Sequence, residues 1–284
     1  MEKIFIVNPT SGHGKSLEIM QYIEKKCKEN NEKYRIIYTT KPKEAETIAE
    51  YYKNKNVIVY SVGGDGTLNE VINGLAYGNS FLHLIPGGSG NDFYKTLSLK
   101  KEGLLDIDLG KVNDKYFINI ASVGFDAEVT ANAEKMKKLH IPSSQIYNVS
   151  LLYTYYKLKN QKISVNGQDK NATLLAIANG KYYGGGFKIA PDAKIDDGYL
   201  NYILAEDLNH LNLIPVLIKL IKGEHYKSEH VEHGLVKNLS IKSSIDLLCN
   251  ADGELIRGKE FDISVCKDAI RYYNYDDYKI KSLL

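Results

Sequence analysis

The sequence is short of three things: cysteine, long apolar runs, and charge of one sign. Its three cysteines, Cys27, Cys249 and Cys266, are scattered without paired spacing. That excludes a disulfide framework and a zinc site, and reads as core thiols in a reducing cytoplasm. No apolar stretch approaches the roughly 18 residues that a membrane-spanning helix requires. The most apolar one, residues 211–221, carries Pro215 and Lys219 and reads as an amphipathic helix. The opening run Ile4-Phe5-Ile6-Val7 is too short for a secretion signal and reads as a first strand. Lys and Arg number 37 against 35 Asp and Glu, which leaves no basic stripe for nucleic acid. No internal repeat or low-complexity segment is found.

What is present is a change of rhythm along 284 residues, a length that favours two domains. The first third alternates. Apolar runs at 4–7, 34–38, 57–62 and 81–85 predict strands, and residues 17–28, 43–53 and 68–75 predict helices. Such β-α-β alternation predicts a parallel sheet covered on both faces, with ligands at the carboxyl ends of its strands. Beyond residue 105, short β-type runs at 116–121, 163–165, 172–178, 199–204, 235–241, 245–249 and 260–265 predict an antiparallel sandwich. Helical segments at 146–158 and 211–222 interrupt it. The expected fold class is therefore α/β, with a Rossmann-like parallel-sheet domain at 1–118 and a C-terminal antiparallel β-sandwich domain at 119–284. The tail, 271–284, reads as loosely held, with its last residues able to return to the first domain.

The strongest local signal is Gly63-Gly64-Asp65-Gly66-Thr67, set between a buried strand and a helix. Glycines admit close backbone approach, and a helix start offers free N–H groups to a phosphate. An aspartate there makes sense when magnesium stands between carboxylate and phosphates. A simpler account exists for part of it. Thr67 and Glu70 have the spacing of a capping box, which needs no ligand but leaves three glycines around an aspartate unexplained.

Gly63-Gly64-Asp65-Gly66-Thr67-Leu68-Asn69-Glu70-Val71-Ile72-Asn73-Gly74 resembles the signature of the diacylglycerol kinase catalytic domain family, in its bacterial lipid kinase branch. Asn8-Pro9-Thr10-Ser11-Gly12 is similar to that family's first nucleotide loop, and Pro86-Gly87-Gly88-Ser89-Gly90-Asn91-Asp92-Phe93 to its second glycine-rich loop. Asn250-Ala251-Asp252-Gly253-Glu254 resembles its late acidic motif. The resemblance implies ATP and Mg2+ as cofactors. Nucleotide contacts would come from Asn8, Pro9, Thr10, Ser11, Gly12, Thr40, Gly63, Gly64, Asp65, Gly66, Thr67, Leu68, Asn69, Glu70 and Ser89. Ser89 stands where many relatives carry threonine, which keeps the hydroxyl. It also implies Asp65 as organiser of a catalytic Mg2+ and Glu254 as the proton acceptor, with Asp252 placing it or the metal. Taken alone, Asp252-Gly253 would read as a surface turn.

The segment 191–199 resembles a structural magnesium site, implying Asp197 as side-chain ligand with carbonyl oxygens of Lys194 and Tyr199; a charged hairpin turn explains it equally. Gly184-Gly185-Gly186 fits a flexible hairpin or a cleft lining. The three histidines between 224 and 233 match no zinc spacing and read as a solvated loop. Tyr147, Leu151 and Tyr155 read as helix packing. The implied activity is phosphoryl transfer from ATP to a hydroxyl of a membrane lipid, diacylglycerol-like by analogy. The protein would work in the cytoplasm, peripherally at the inner membrane surface, and a homodimer is left open. Two alternatives stand beside it: an NAD kinase-like phosphotransferase on a soluble dinucleotide, and a nucleotide-binding regulatory module without turnover.

Overall fold

The computed structural model describes residues 1–137 and 143–279. Its first half is a parallel sheet of β1 (Lys3–Val7), β2 (Tyr34–Tyr38), β3 (Ile58–Gly63) and β4 (Phe81–Pro86), in the order β2-β1-β3-β4. Alternate residues of a strand face opposite sides. Ile4 and Ile6 thus join Val59, Leu82 and Leu84 under α2 (Glu44–Tyr52), α3 (Asp65–Leu75) and α4 (Asp92–Leu97), while Phe5 and Val7 join Tyr60 and Val62 under α1 (Lys15–Glu29). Both faces are covered, which is why these strands read as continuous apolar runs.

The second half is antiparallel. It contains β5 (Gly103–Val112), β6 (Lys115–Phe117), β7 (Ile120–Gly124), β8 (Gln161–Val165), β9 (Gln168–Ala178), β10 (Leu200–Glu206), β11 (Val231–Val236), β12 (Asn238–Ala251) and β13 (Glu254–Asn274). Leu175 and Ile177 of β9 point into the sandwich with Phe117, Val123, Ile241 and Phe261. Their neighbours Ala176 and Ala178 face outward, small enough for α5 (Phe125–Met136), α6 (Ser143–Tyr156) and α7 (His210–Ile221) to settle on that side. The expected fold class is the observed one.

Three expectations need correction. The tail is held through Lys279: Arg271–Asn274 end β13, Tyr272 pairs with Leu82 of β4, and Tyr278 is buried against Phe5 and Tyr60. Residues 280–284 lie outside the described residues. The histidine-rich run is a short 3-10 turn and strand β11, with His225 buried and His233 stacked on Tyr226. Residues 125–136, given no element from the sequence, form α5. Among the described residues, no helix is long and apolar enough to cross a membrane.

Candidate functional site

Neighbouring strands β1, β3 and β4 end side by side, so the three glycine-bearing loops that follow them meet. Asn8 N–H donates to Val62 O at 3.0 Å and Gly87 N–H to Gly63 O at 2.8 Å. The glycines serve this contact first. A Cβ on Gly88 would collide with the Gly64 backbone, and one on Gly12 with the Gly87 carbonyl. Gly66, on the first turn of α3, is different: a side chain there would meet nothing within 4 Å, so packing does not account for it. It leaves the helix N-terminus open to an anion.

The capping box expected at Thr67–Glu70 does not form. The N-cap of α3 is Gly64, without a side-chain cap. Thr67 Oγ1 instead accepts from Asn8 Nδ2 at 3.2 Å, and Glu70 Oε2 accepts from the Ala45 N–H at 3.1 Å, capping α2. Thr40 N–H and Oγ1 donate to Glu44 Oε2. Asn8, Thr10, Thr40, Thr67 and Glu70 thereby share a polar hollow of about 220 Å³.

A larger crevice of about 430 Å³ lies between the halves, with Asp65, Ser89 and Asp92 on one side and Asn119, Asp252 and Gly253 on the other. Burial raises the Asp65 carboxyl above its usual range, and the Asp92 charge raises it further. Asp92 accepts from Lys95 Nζ at 2.8 Å and from the Gly185 N–H at 2.9 Å. Asp252 is held by four donors: Asn69 Nδ2 and the N–H groups of Ile118, Asn119 and Ile120, at 2.7 to 3.2 Å. Burial still pushes its carboxyl up to about 6. Asp252 and Gly253 both have positive φ and form the two-residue hairpin turn from β12 to β13. The turn reading is therefore correct, and the same turn puts Asp252 and Gly253 in the lining of the crevice. Glu254 follows directly, half-buried at the start of β13, and is not among the residues lining the crevice.

A third hollow, of about 170 Å³, adjoins the crevice through Tyr147, Tyr183 and Gly184. Its wall is apolar: Phe125, Val129, Leu151, Leu174, Phe187 and Leu217, with Leu220 and Ile221 of α7. Asp126 sits in that wall, its Oδ2 accepting from Ser122 Oγ at 2.5 Å and Asn250 Nδ2 at 2.9 Å. Burial raises the Asp126 carboxyl.

Residues 2–115 match the family model described as diacylglycerol kinase catalytic domain, and residues 119–271 the one described as YegS C-terminal NAD kinase beta sandwich-like domain. A diacylglycerol kinase of Staphylococcus saprophyticus is 31% identical over 268 residues, covering 88% of this chain and 87% of its own. This chain belongs to the diacylglycerol kinase family. A diacylglycerol kinase of Staphylococcus aureus is also 31% identical, covering 88% of this chain and 84% of its own. The crystal structure of a "putative diacylglycerol kinase" from Bacillus anthracis superposes with a TM-score of 0.74 at 26% identity, covering 97% of this chain and 95% of that one.

Within this family member, the motif residues divide by position. Leu68, on α3, is buried in the core and also lines the crevice. Asn69 is turned to Asp252 and the Tyr116 carbonyl, and Asn73 exchanges two hydrogen bonds with the Tyr116 backbone. Pro9 is half-buried beside the exposed Thr10, and the carbonyl of the half-buried Ser11 accepts from Ser16 Oγ. The 194–199 turn does not line the crevice. Asp197 Oδ1 accepts from its own Tyr199 N–H, and the buried Asp108, which the sequence did not single out, holds Gly198 N–H at 2.6 Å. Among the described residues no group of three or more His, Cys, Asp or Glu is arranged to hold a metal alone.

Sequence reasoning missed Asp92, Asn119, Tyr183 and Asp126. Asp92 lay inside a quoted motif, but nothing local separates its role from that of Asn91. Tyr147, expected to be packing, lines both the crevice and the apolar hollow, whereas Leu151 and Tyr155 do pack. Gly185, undecided in the sequence, lines the crevice and bonds Asp92.

Proposed function

We propose that the protein transfers the terminal phosphoryl group of ATP to a hydroxyl of a membrane lipid, with a diacylglycerol-like acceptor. The observation that carries this reading is the shared crevice, where Asp65 and Asp92 stand across from the Asp252-Gly253 turn. The polar hollow at Asn8, Thr40, Thr67 and Glu70 suits a nucleotide, and the open flank of Gly66 suits its phosphates. Asp65, a half-buried acid kept company by a second carboxylate, suits a divalent cation held by one or two carboxylates and completed by phosphate oxygens. Mg2+ bound there would neutralise charge on the phosphates.

The acceptor oxygen bonds to the γ-phosphorus as that atom's bond to the β,γ-bridging oxygen breaks, releasing ADP. Its proton passes to Glu254, which the clamped Asp252 turn positions. The apolar hollow beyond Tyr147 and Tyr183 suits an acyl chain, which favours a lipid over a soluble acceptor.

A second reading, phosphorylation of a soluble dinucleotide, draws support from the NAD kinase-like description of the sandwich half. One assay separates them. With labelled ATP and Mg2+, label should enter diacylglycerol in a lipid extract and leave NAD untouched. Label in NAD alone moves the function to the second reading, and label in neither acceptor removes both.

A further inference from the structure

Helices α6 and α7 carry apolar side chains on the side turned away from the core. On α7, Leu211, Ile214, Ile218 and Ile221 are 85%, 47%, 49% and 64% exposed. At about 100° per residue these four fall within one narrow stripe. On α6, Val149, Leu152, Tyr153 and Tyr156 are exposed at i, i+3, i+4 and i+7, a second stripe. The helices are neighbours: the Tyr155 hydroxyl donates to His210 O at 2.8 Å, and the two rings lie edge to face at 5.1 Å. Eight exposed apolar residues on two adjoining helices exceed the scattered single ones expected on an ordinary surface.

We infer that this α6–α7 face is the surface with which the protein docks on a lipid bilayer, lying in the interface without crossing it. This rests on the lipid kinase reading and adds where the membrane sits. Two observations select a bilayer over other occupants. The first is charge. Neither helix contains an acidic residue, while Lys219 on α7, Lys157 just after α6 and Lys222 just after α7 are exposed or half-exposed cations, with Glu224 the one acid among the described residues that follows α7 within reach of Lys219 and Lys222. An apolar stripe edged by lysines suits acyl chains below and anionic headgroups at their level.

The second is continuity. The inner side of α7, through Leu217 and Leu220, is a wall of the apolar hollow, and that hollow opens to the crevice through Tyr147, Tyr183 and Gly184. Ile221 belongs to both the outer stripe and the hollow. A chain leaving the bilayer at α7 therefore meets apolar surface all the way to the crevice.

The test is co-sedimentation with vesicles of phosphatidylcholine and phosphatidylglycerol. It compares the intact protein with a triple variant, Leu211→Ser, Ile214→Ser and Ile218→Ser, none of which lines the hollow. Vesicle affinity should fall at least about tenfold, which is no more than the contribution of one buried apolar side chain. The rate on a short-chain diacylglycerol dispersed below its aggregation limit should stay unchanged. Equal vesicle affinity in the two proteins overturns the assignment. So does a native dimer that becomes monomeric in the variant with vesicle binding retained, which would give the face to a second copy.

Ile218→Trp supplies a direct readout, because the chain has no tryptophan. Its emission should shift to the blue on vesicles, and an unshifted spectrum on vesicles the protein does bind overturns the assignment. The two readings fail separately. Vesicle binding through the stripe without phosphorylation of any lipid supports the docking face and removes the kinase reading. Turnover of the dispersed acceptor with no vesicle binding removes the docking face alone.

Discussion

Asp252 and Glu254 are two residues apart, yet only Asp252 lines the crevice, where four donors clamp it. Asp252 has all its reach taken by Asn69 and three backbone N–H groups. A carboxylate so occupied positions the turn. Glu254 accepts no such set of donors. Glu254→Gln should therefore lower the rate by roughly 10² to 10⁴ while nucleotide affinity stays the same. Single-turnover kinetics beside a nucleotide titration checks this, and a near-normal rate removes Glu254 as the base.

Asp252 has its own signature in pH. Burial holds its carboxyl near 6 in the fold against an ordinary aspartate value of 3.8. Between those values the folded chain binds the additional proton, so its stability falls as pH rises through the interval and levels off above it. The interval corresponds to about 3 kcal/mol. Asp252→Asn cannot titrate, so urea unfolding should show the stability gap between native and variant proteins narrowing by up to that amount from pH 4 to 6. A gap that stays constant would refute the raised value. The motif marked Asp252 as an acidic site residue but could not show this, because its donors come from residues more than 130 positions away.

The elements were readable where one strand or helix keeps one environment. β1, β3 and β4 are buried on both faces and declared themselves as apolar runs. Helix α5 did not, because its buried residues Phe125, Ala127, Val129 and Ala131 recur at every second position, a spacing that does not mark a helix. β13 was seen only at 260–265. It changes neighbours along its length, from β12 to β5 and finally β4, and charged residues such as Lys267 and Asp268 fall where it does so. The segment after it was misread for a related reason. Its tyrosines are polar enough to suggest a loose tail, but Tyr278 fills a hole beside Phe5 and Tyr60, and its hydroxyl donates to Glu32 at 2.7 Å and accepts from Lys3 at 2.9 Å.

Tyr278→Ala should then cost about 3–5 kcal/mol, as large aromatic truncations in cores do. Tyr278→Phe, which keeps the ring, should cost about 1–2 kcal/mol. Denaturant unfolding of both variants checks the pair. A loss under about 0.5 kcal/mol for the alanine form is what a surface residue would give, and would restore the loose tail.

The motifs announced that two halves cooperate, but not how they are joined. Two of the connections between them reach the site. β13 leaves the sandwich and reaches the parallel sheet at Tyr272, so the sheet runs on from one half to the other. The crossing chain at 116–120 is held from α3 by Asn69 and Asn73, and from the late hairpin by Asp252. Asn69 thus belongs to the joint and does not line the polar hollow, a distinction no local reading of its motif could make. With both connections intact, calorimetry should show a single transition whose van't Hoff and calorimetric enthalpies agree. Asn69→Ala combined with Asp252→Ala leaves three backbone N–H groups at the joint without acceptors and frees the helix from the hairpin. Each such unpaired group costs about 1–3 kcal/mol, enough to let one half melt before the other. Two resolved transitions are expected, with activity lost at the first, since the crevice needs walls from both halves. One sharp transition at a lower temperature would show instead that the halves stay coupled without the joint at 116–120.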